Sequence, residues 1–243
     1  MCIRDRLDIT YDSVIENIAL DEALLLYSEQ TGEEFLRFWK PQHNTVVMGR
    51  SGKLEQEAAK EYCRKNQIPV YRRPSGGGTI LTGPGCLMYT VVLNSNLNGR
   101  LKEIQGCHDF VLGQMAIALN NIGIPCCILG ISDLVIGNLK FSGNSLRLKR
   151  DAILYHGTLL CKFNLKEISN ALLPPPKQPD YRQKRSHAEF VTNLERSMKE
   201  IQSAITEHWK PVITGDDIPQ PVEVLYQDLL DNKYLDSNWD VLS

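Results

Sequence analysis

The chain has 243 residues, with 27 lysines and arginines against 29 aspartates and glutamates, and a formal net charge of −2. This balance gives no electrostatic reason to expect a nucleic-acid partner, and no apolar run reaches the roughly 20 residues that a membrane-spanning helix requires. The seven cysteines are scattered and form no Cys-x-x-Cys pair, which argues against a disulfide framework or a zinc site and for a reducing, cytoplasmic compartment.

The first part of the chain predicts one helix followed by strands. Ser13 and Glu16 have the spacing of a helical capping box, and Ile15, Ala19 and Ala23 recur behind them at helical intervals. Strands are predicted, in chain order, over 34–39, 45–48, 69–71 and 87–93. A polar-faced helix is predicted over 55–66.

The middle of the chain predicts a long helix and a hairpin. Helical spacing covers 101–122. Strands at 133–136 and 139–141 flank Gly137-Asn138, a dipeptide typical of a two-residue hairpin turn. A third strand is predicted over 152–163.

The last part of the chain predicts two more helices. Asn164 is expected to cap a short helix that the prolines at 174–176 terminate. The polar, basic residues 177–188 are expected to be mobile. Asn193 is expected to cap a helix that runs to Trp209.

This order of elements lacks the regular alternation of strand and helix that builds a doubly wound fold. Adjacent strands joined by tight turns favour an α+β fold, with a mixed, largely antiparallel sheet and packed helices. One domain is expected over 14–243. It is preceded by an N-terminal extension, 1–13, whose status the sequence leaves open.

Residues 72–78, Arg-Arg-Pro-Ser-Gly-Gly-Gly, suggest a ligand site. Three consecutive glycines are costly to order, and a common reason to order them is a backbone that approaches a ligand closely. Arg72 and Arg73 place positive charge beside the free amides, which suits a phosphate or a carboxylate. A surface connector with two hydrated arginines is the competing interpretation.

The stretch from Arg72 to Cys86 resembles the signature of the lipoate–protein ligase A family, in which Arg-Arg-x-Ser-Gly-Gly-Gly precedes a short strand and a turn. Five other segments resemble family motifs in the same order along the chain. They are 17–22, 48–50, 132–143, 156–160 and 185–194. The resemblance extends over nearly the whole chain from about residue 14.

The resemblance implies the biotin and lipoate ligase catalytic fold, related to class II aminoacyl-tRNA synthetases. It implies an enzyme that uses ATP and magnesium to convert lipoate or octanoate into an acyl-adenylate, and then transfers the acyl group to a lysine. The implied acceptors are lipoyl-carrier domains, of the 2-oxoacid dehydrogenase E2 subunit or the glycine cleavage H protein.

Many bacterial members of the family carry a small accessory domain after the catalytic one. Here 233–239 resembles the end of the catalytic domain, so we expect no accessory domain in this chain. Either a separate protein supplies it, or the reaction does not need it.

The resemblance also implies roles for individual residues. Lys140 matches the family's essential lysine, which contacts the carbonyl and phosphate of the acyl-adenylate. Arg72 is expected at the same groups in preference to Arg73, because adjacent strand residues point to opposite faces. The other residues expected to bind the acid or the adenylate are Ser75, Gly76, Gly77, Gly78, Asp133, Ser142, Gly143 and His156.

Three of these assignments have a competing structural interpretation. Lys140 could be a hydrated lysine on an edge strand, and His156 a histidine satisfied by a backbone partner. Asp133 could hold magnesium or ribose, or could be a turn residue before a strand.

Two departures from the family pattern leave an alternative open. Thr82-Gly83 stands where the ligases usually have His-Asp, and Cys86 where they often have Asn. Relatives of this fold transfer octanoyl or lipoyl groups through a cysteine thioester without ATP, and Cys86 is the best candidate for that nucleophile. A non-catalytic protein that binds lipoyl domains is a third interpretation.

Overall fold

The computed structural model of the chain describes residues 3–215, 217–236 and 238–242. Met1 and Cys2 of the predicted extension lie outside the described residues, as do Ser237 and Ser243 near the predicted domain end. Across the described residues, no helix is both long and apolar enough to cross a membrane.

The strands alternate irregularly with the helices along the chain. In chain order the strands are β1 (Asp5–Leu7), β2 (Phe35–Trp39), β3 (Thr45–Met48), β4 (Val70–Arg72), β5 (Ile80–Thr82), β6 (Cys86–Asn94), β7 (Cys126–Leu129), β8 (Asp133–Ile136), β9 (Leu139–Leu148), β10 (Ala152–Leu160) and β11 (Ile213–Gly215). The α-helices are α1 (Val14–Thr31), α2 (Leu54–Glu57), α3 (Lys60–Lys65), α4 (Ile104–Asn121), α5 (Leu165–Ala171), α6 (His187–Phe190), α7 (Met198–Trp209) and α8 (Gln220–Leu229). Short 3₁₀ turns cover Gly99–Lys102 and Asp180–Arg182, and a π-helical turn covers Leu230–Tyr234.

Eight of the strands form one sheet in the order β11-β1-β2-β6-β10-β9-β8-β7, and the other three form a small sheet in the order β4-β3-β5. In the large sheet only β1 pairs in parallel, with β2 and with β11, while the other pairs are antiparallel. The predicted α+β fold with a mixed, largely antiparallel sheet is therefore confirmed. The predicted N-terminal extension contributes β1 to this sheet.

The large sheet has helices on both faces, and β6 shows why its sequence is a continuous apolar run. Leu87, Tyr89 and Leu93 pack in a cluster with α4 and α7, while Met88 and Val92 pack in a second cluster with α1 and α8. A strand buried on both faces needs apolar residues at every position. The predicted strand is thus correct and extends to Cys86–Asn94.

Helix α1 begins as its sequence predicts. The Ser13 side chain accepts a hydrogen bond in the first turn, the Glu16 carboxylate accepts one from the Ser13 amide, and Gly32 ends the helix with φ of 77°. Its buried face packs on β6 and β10, so its inward-facing side chains reach the middle of the large sheet.

Two local predictions were wrong or incomplete. The helix predicted over 55–66 is broken, because Ala58 adopts an extended conformation and pairs with Leu172. Ser197 rather than Asn193 caps α7. The Asn193 side chain instead hydrogen-bonds the backbone N–H and C=O of Phe163 at 3.1 and 2.9 Å.

The basic segment 177–188 contains more structure than its composition indicates. Arg182 is buried, and its guanidinium and that of Arg185 lie over the Phe190 ring at 4.7 and 5.3 Å. Arg185 also donates to the carbonyl of Asn138 at 3.0 Å. These contacts hold the segment against the β8–β9 hairpin.

Candidate active site

A cavity of about 1060 Å³ is lined by both sheets and by the segments that connect them. This is the volume of a small-molecule site. Its apolar walls include Ile18, Trp39, Val47, Leu81, Met88 and Leu160. Its polar lining includes Arg73, Asp133, Lys140, Asn144 and His156. A ligand with a charged head and an apolar tail would match this division.

The cavity brings together most of the residues predicted from the sequence. Those that line it are Gly76, Gly77, Gly78, Asp133, Lys140, Ser142, Gly143 and His156. Arg72, Ser75 and Cys86 are not part of the lining.

The glycine loop is held from behind by Arg73. Its guanidinium donates to the carbonyls of Gly76 at 2.6 Å, Gly78 at 2.8 Å and Val47 at 3.1 Å, and to the Ser75 hydroxyl at 3.0 Å. Burial lowers the pKa of Arg73 to about 10, so the side chain remains a cation at neutral pH. The loop is therefore wrapped around a buried positive charge.

The preference for Arg72 over Arg73 is not supported by their placement. Arg72 is the last residue of β4, and its side chain points away from the cavity. Its guanidinium donates to the carbonyls of Gly49, Arg50 and Gly52 at 3.0, 3.2 and 2.9 Å. Because neighbouring residues of an extended chain point to opposite sides, only one arginine of the pair can face the loop, and it is Arg73.

We expect Arg73→Ala to lower the free energy of unfolding by about 3 kcal/mol and Arg72→Ala by about 1 kcal/mol. The first change leaves several buried acceptors without a donor, whereas the acceptors of Arg72 lie nearer to solvent. Urea unfolding of the two variants measures the difference. Equal losses would contradict the assignment of Arg73 as the residue that organises the loop.

Lys140 faces Asp133 because β9 contains one extra residue. Leu134 pairs with Ser142 but Val135 pairs with Lys140, so Phe141 has no partner across the ladder. Regular alternation would point Lys140 to the same side as Ser142. The bulge instead turns the lysine toward Asp133, and bulges commonly re-aim a side chain in this way.

The ammonium group of Lys140 is fixed by a carboxylate. Its Nζ lies 2.7 Å from Oδ1 of Asp133, and the Tyr181 hydroxyl donates to Oδ2 at 2.6 Å. Burial, and then the charge of Asp133, raise the pKa of Tyr181, so its hydroxyl stays protonated and can donate. Gly143 leaves room for the lysine, because a Cβ there would lie 2.8 Å from Nζ.

Asn144 is a site residue that the sequence analysis missed. Its amide joins β9 to the loop before β8 by donating to the Ser132 carbonyl at 2.8 Å. Its Oδ1 accepts from the Tyr89 hydroxyl at 2.5 Å and from the Ser142 hydroxyl at 3.2 Å. A Cβ on Gly157 would lie 1.8 Å from this oxygen, so the Gly after His156 is the local signal for a close neighbour.

His156 has a side-chain partner rather than a backbone one. Its Nε2 lies 2.6 Å from the hydroxyl of Ser75, the residue directly before the glycines. Ser75 is 1% exposed and therefore supports the loop from behind. The resemblance predicts that both residues bind the ligand directly, but only His156 lines the cavity.

The alternative nucleophile, Cys86, is not part of the cavity lining, although Leu160, its partner across the sheet, is. Its thiol is buried, and burial raises its pKa to about 11, so almost none of it is thiolate at neutral pH. A thioester-forming cysteine needs the opposite environment, accessible and with a depressed pKa. Cys126 is also buried with its pKa raised to about 11, while Cys127 is exposed on β7.

A preformed magnesium site does not fit these side chains. The two oxygens of Asp133 are engaged by Lys140 and Tyr181. Within the described part of the chain, no group of three or more His, Cys, Asp or Glu side chains is placed to hold a metal ion. Magnesium commonly binds proteins through one or two carboxylates together with substrate phosphates.

Comparison with known proteins identifies relatives over most of the chain. Lipoate-protein ligase A subunit 1 from Thermoplasma acidophilum is 24% identical over 241 residues, covering 93% of this chain and 91% of that protein. A probable lipoate-protein ligase A from Mycoplasma pneumoniae is 31% identical over 158 residues, covering 64% of this chain. The matched region is 45% of the Mycoplasma protein, so the chain spans about half the length of some curated relatives.

Solved structures share the fold. A bi-partite lipoate protein ligase from Thermoplasma acidophilum superposes with a TM-score of 0.84 at 24% identity, covering 100% of this chain and 97% of that one. A lipoate-protein ligase A bound with ATP gives a TM-score of 0.78 at 23% identity, covering 100% of this chain and 99% of that one.

The family model for the lipoyl protein ligase A/B catalytic domain matches residues 13–210. This match covers well over half of the chain, contains the glycine loop, Lys140 and His156, and confirms the resemblance inferred from the motifs. The chain therefore belongs to the lipoyl protein ligase A/B catalytic domain family.

Proposed function

We propose that this chain is a lipoate–protein ligase that activates lipoate or octanoate with ATP and transfers the acyl group to a lysine of a lipoyl-carrier domain. The observation that carries the proposal is the position of Lys140. Its ammonium group is held by Asp133 at the polar side of a cavity of about 1060 Å³ whose remaining walls are largely apolar.

The chemistry has two steps. A carboxylate oxygen of the acid attacks the α-phosphorus of ATP, an O–P bond forms, and pyrophosphate leaves. The neutral amine of the acceptor lysine then attacks the acyl carbon, AMP leaves, and the amine loses a proton as the amide forms. Both steps concentrate negative charge on phosphate and carbonyl oxygens, where a fixed cation lowers the barrier.

Each part of the cavity has a role in this scheme. Lys140 supplies the fixed cation, and Asp133 with Tyr181 holds it in place. The exposed backbone of the glycine loop forms the wall beside the acyl chain, and the apolar lining accepts the tail. Arg73, a buried cation that also lines the cavity, keeps the loop in shape.

The placement of the cysteines favours ligation over transfer through a thioester. Cys86 is buried, has a raised pKa and lies outside the cavity lining. The loop 130–132, at the cavity edge, contains no thiol. A non-catalytic binding protein would not need a lysine whose position is fixed by a bulge and an ion pair.

Mass spectrometry of a purified lipoyl-carrier domain tests the proposal. The domain is incubated with this chain and lipoate plus ATP and magnesium, and in parallel with octanoyl-acyl carrier protein without ATP. We expect a lipoyl mass increase in the first reaction and no octanoyl mass increase in the second. Modification only in the second reaction would replace the ligase with a transferase.

We expect Cys86→Ser, Cys126→Ser and Cys127→Ser each to retain the ATP-dependent activity within about twofold, because no step of the ligase mechanism uses a thiolate. Initial rates of lipoyl transfer measure this, with unfolding curves to correct for any loss of folded enzyme. Loss of activity in one variant, with an acyl thioester trapped on that cysteine in the parent protein, would overturn the ligase mechanism.

The partners follow from the same proposal. The Thermoplasma structure is described as a bi-partite ligase with its E2 lipoyl domain, and the related sequence is named subunit 1. We infer that this chain also modifies an E2 lipoyl domain and works with a separate accessory protein, in a reducing cytoplasmic compartment. The glycine cleavage H protein is a second candidate acceptor.

A further inference from the structure

A network of polar side chains, all buried except the partly exposed His156, joins helix α1 to the glycine loop. Arg37 Nη1 lies 2.6 Å from Oδ1 of Asp21, and Oδ2 of Asp21 lies 3.7 Å from Nδ1 of His156. His156 Nε2 lies 2.6 Å from the Ser75 hydroxyl, which accepts a hydrogen bond from Arg73 Nε at 3.0 Å. The ligase chemistry explains Lys140 and the loop, but it gives no role to Asp21, a carboxylate that is almost fully buried and lies at the cavity lining beside His156.

The register of the large sheet places these groups together. Arg37 pairs with Thr90, and Thr90 pairs with His156, so the three side chains stand side by side on one face of adjacent strands. Asp21 approaches from α1, and its Oδ2 also accepts from the Thr90 hydroxyl at 2.8 Å. The carboxylate is 1% exposed and Arg37 is fully buried.

Charge determines where the protons lie in this network of polar side chains. Burial tends to raise the pKa of Asp21, but the Arg37 guanidinium and then His156 outweigh it, and the net pKa is lowered. The carboxylate is therefore ionised at neutral pH. A negative charge 3.7 Å from Nδ1 favours the imidazole tautomer that carries its proton there.

The tautomer of His156 fixes the roles of the next two groups. With the proton on Nδ1, Nε2 is an acceptor, so the Ser75 hydroxyl donates to it. The Ser75 oxygen is then free to accept from Arg73, whose other N–H groups hold the carbonyls of Gly76 and Gly78. With the proton on Nε2, Ser75 would face two donors and its own hydroxyl proton would lose its acceptor.

We propose that Asp21 is a positioning residue for the glycine loop, which acts by fixing the Nδ1–H tautomer of His156 and through it the Ser75–Arg73 contact. The identity of the ligand that the loop binds rests on the proposed function. Asp21, His156 and Ser75 have the composition of a hydrolase triad, but Ser75 lies outside the cavity lining and its oxygen is held by Arg73. The group therefore positions the loop and does not supply a nucleophile.

The tautomer can be measured in the wild-type protein without any ligand. Two-bond ¹H–¹⁵N correlation spectra of protein labelled at its five histidines distinguish Nδ1–H from Nε2–H rings, and the signals missing in His156→Gln identify His156. We expect the Nδ1–H pattern. An Nε2–H pattern would overturn the proposal whether or not the protein is a ligase.

Asp21→Asn tests the consequence. The amide donor of Asn should turn toward Nδ1, since its oxygen is needed by Arg37, and should force the proton to Nε2. We expect faster hydrogen exchange at the amides of Gly76–78, and roughly tenfold weaker binding of lipoate in calorimetry, about the effect of one buried hydrogen bond. Unchanged exchange and affinity would overturn the proposal.

A double-mutant comparison separates positioning from a general loss of stability. Ser75→Ala breaks the same network of side chains. The double variant, Asp21→Asn with Ser75→Ala, should therefore bind lipoate no more weakly than the weaker-binding of the two single variants. Fully additive losses would show that Asp21 does not act through Ser75. Thr90→Val is the matched control, because it removes a hydrogen bond from the same carboxylate but keeps its charge. It should lower Tm without changing glycine-loop exchange.

The proposal stays testable if Asp21→Asn does not fold, and also if the wild-type protein does not bind lipoate. If Asp21→Asn does not fold, the wild-type tautomer and the exchange rates of Ser75→Ala still decide the proposal. If the wild-type protein does not bind lipoate, the proposed function fails, while the tautomer and the exchange rates continue to test the role of Asp21.

Discussion

Lys140→Ala should reduce the rate of lipoyl transfer by a factor of about 10² to 10³, the usual effect of removing one group that stabilises charge in a transition state. The free energy of unfolding should fall by only about 1–2 kcal/mol, because Asp133 keeps its hydrogen bond from Tyr181 when the lysine is removed. Rates of carrier-domain modification at saturating lipoate and ATP, together with urea unfolding, measure the two effects separately.

Two comparison variants sharpen this result. Lys65→Ala removes an exposed lysine at the end of α3 and should change neither quantity. Lys140→Arg keeps a positive charge but replaces a compact ammonium with a wider planar group, so it should recover only part of the activity. Activity of Lys140→Ala close to that of the wild type would remove the central assignment of the proposed function.

Local signals in the sequence were sufficient for much of the fold. The capping box of α1 and the Gly137-Asn138 turn depend on residues a few positions apart, and both were predicted correctly. The cap of α7 was not, because Asn193 and Ser197 are both good capping residues. The choice between them depends on Phe163, which lies 30 positions away from Asn193.

The parts of the site that lie within short sequence motifs were predictable. The glycine loop and Lys140 were found from short patterns, and both line the cavity. The direction in which Lys140 points could not be derived, because it depends on the bulge at Phe141. Tyr181 was missed, since its contact with Asp133 spans 48 positions in the sequence.

The two arginines of the motif illustrate the same limit. Alternation along a strand predicts that Arg72 and Arg73 face opposite sides, but it does not say which side holds the loop. The side that holds the loop depends on which backbone carbonyls lie near each arginine. The carbonyls of Gly49 and Gly52 lie on the side of Arg72. Those of Gly76 and Gly78 lie on the side of Arg73.

Gly77→Val should lower the affinity for lipoate by more than about a hundredfold, or about 2.7 kcal/mol. Gly77 has φ of +81°, where a β-branched residue is strained, and its Cβ would lie 3.1 Å from Arg73 Nη2 and 3.5 Å from the Ser145 hydroxyl. Gly78→Ala adds a single methyl group to open cavity space without that strain, so it should weaken binding while leaving Tm unchanged. Gly99→Val, which also meets open space but in a 3₁₀ turn, should alter neither affinity nor the rate of modification. Calorimetry with lipoate compares the three. If Gly77→Val and Gly78→Ala both bind lipoate as tightly as the wild type, the glycine loop is a connector and the acid binds elsewhere.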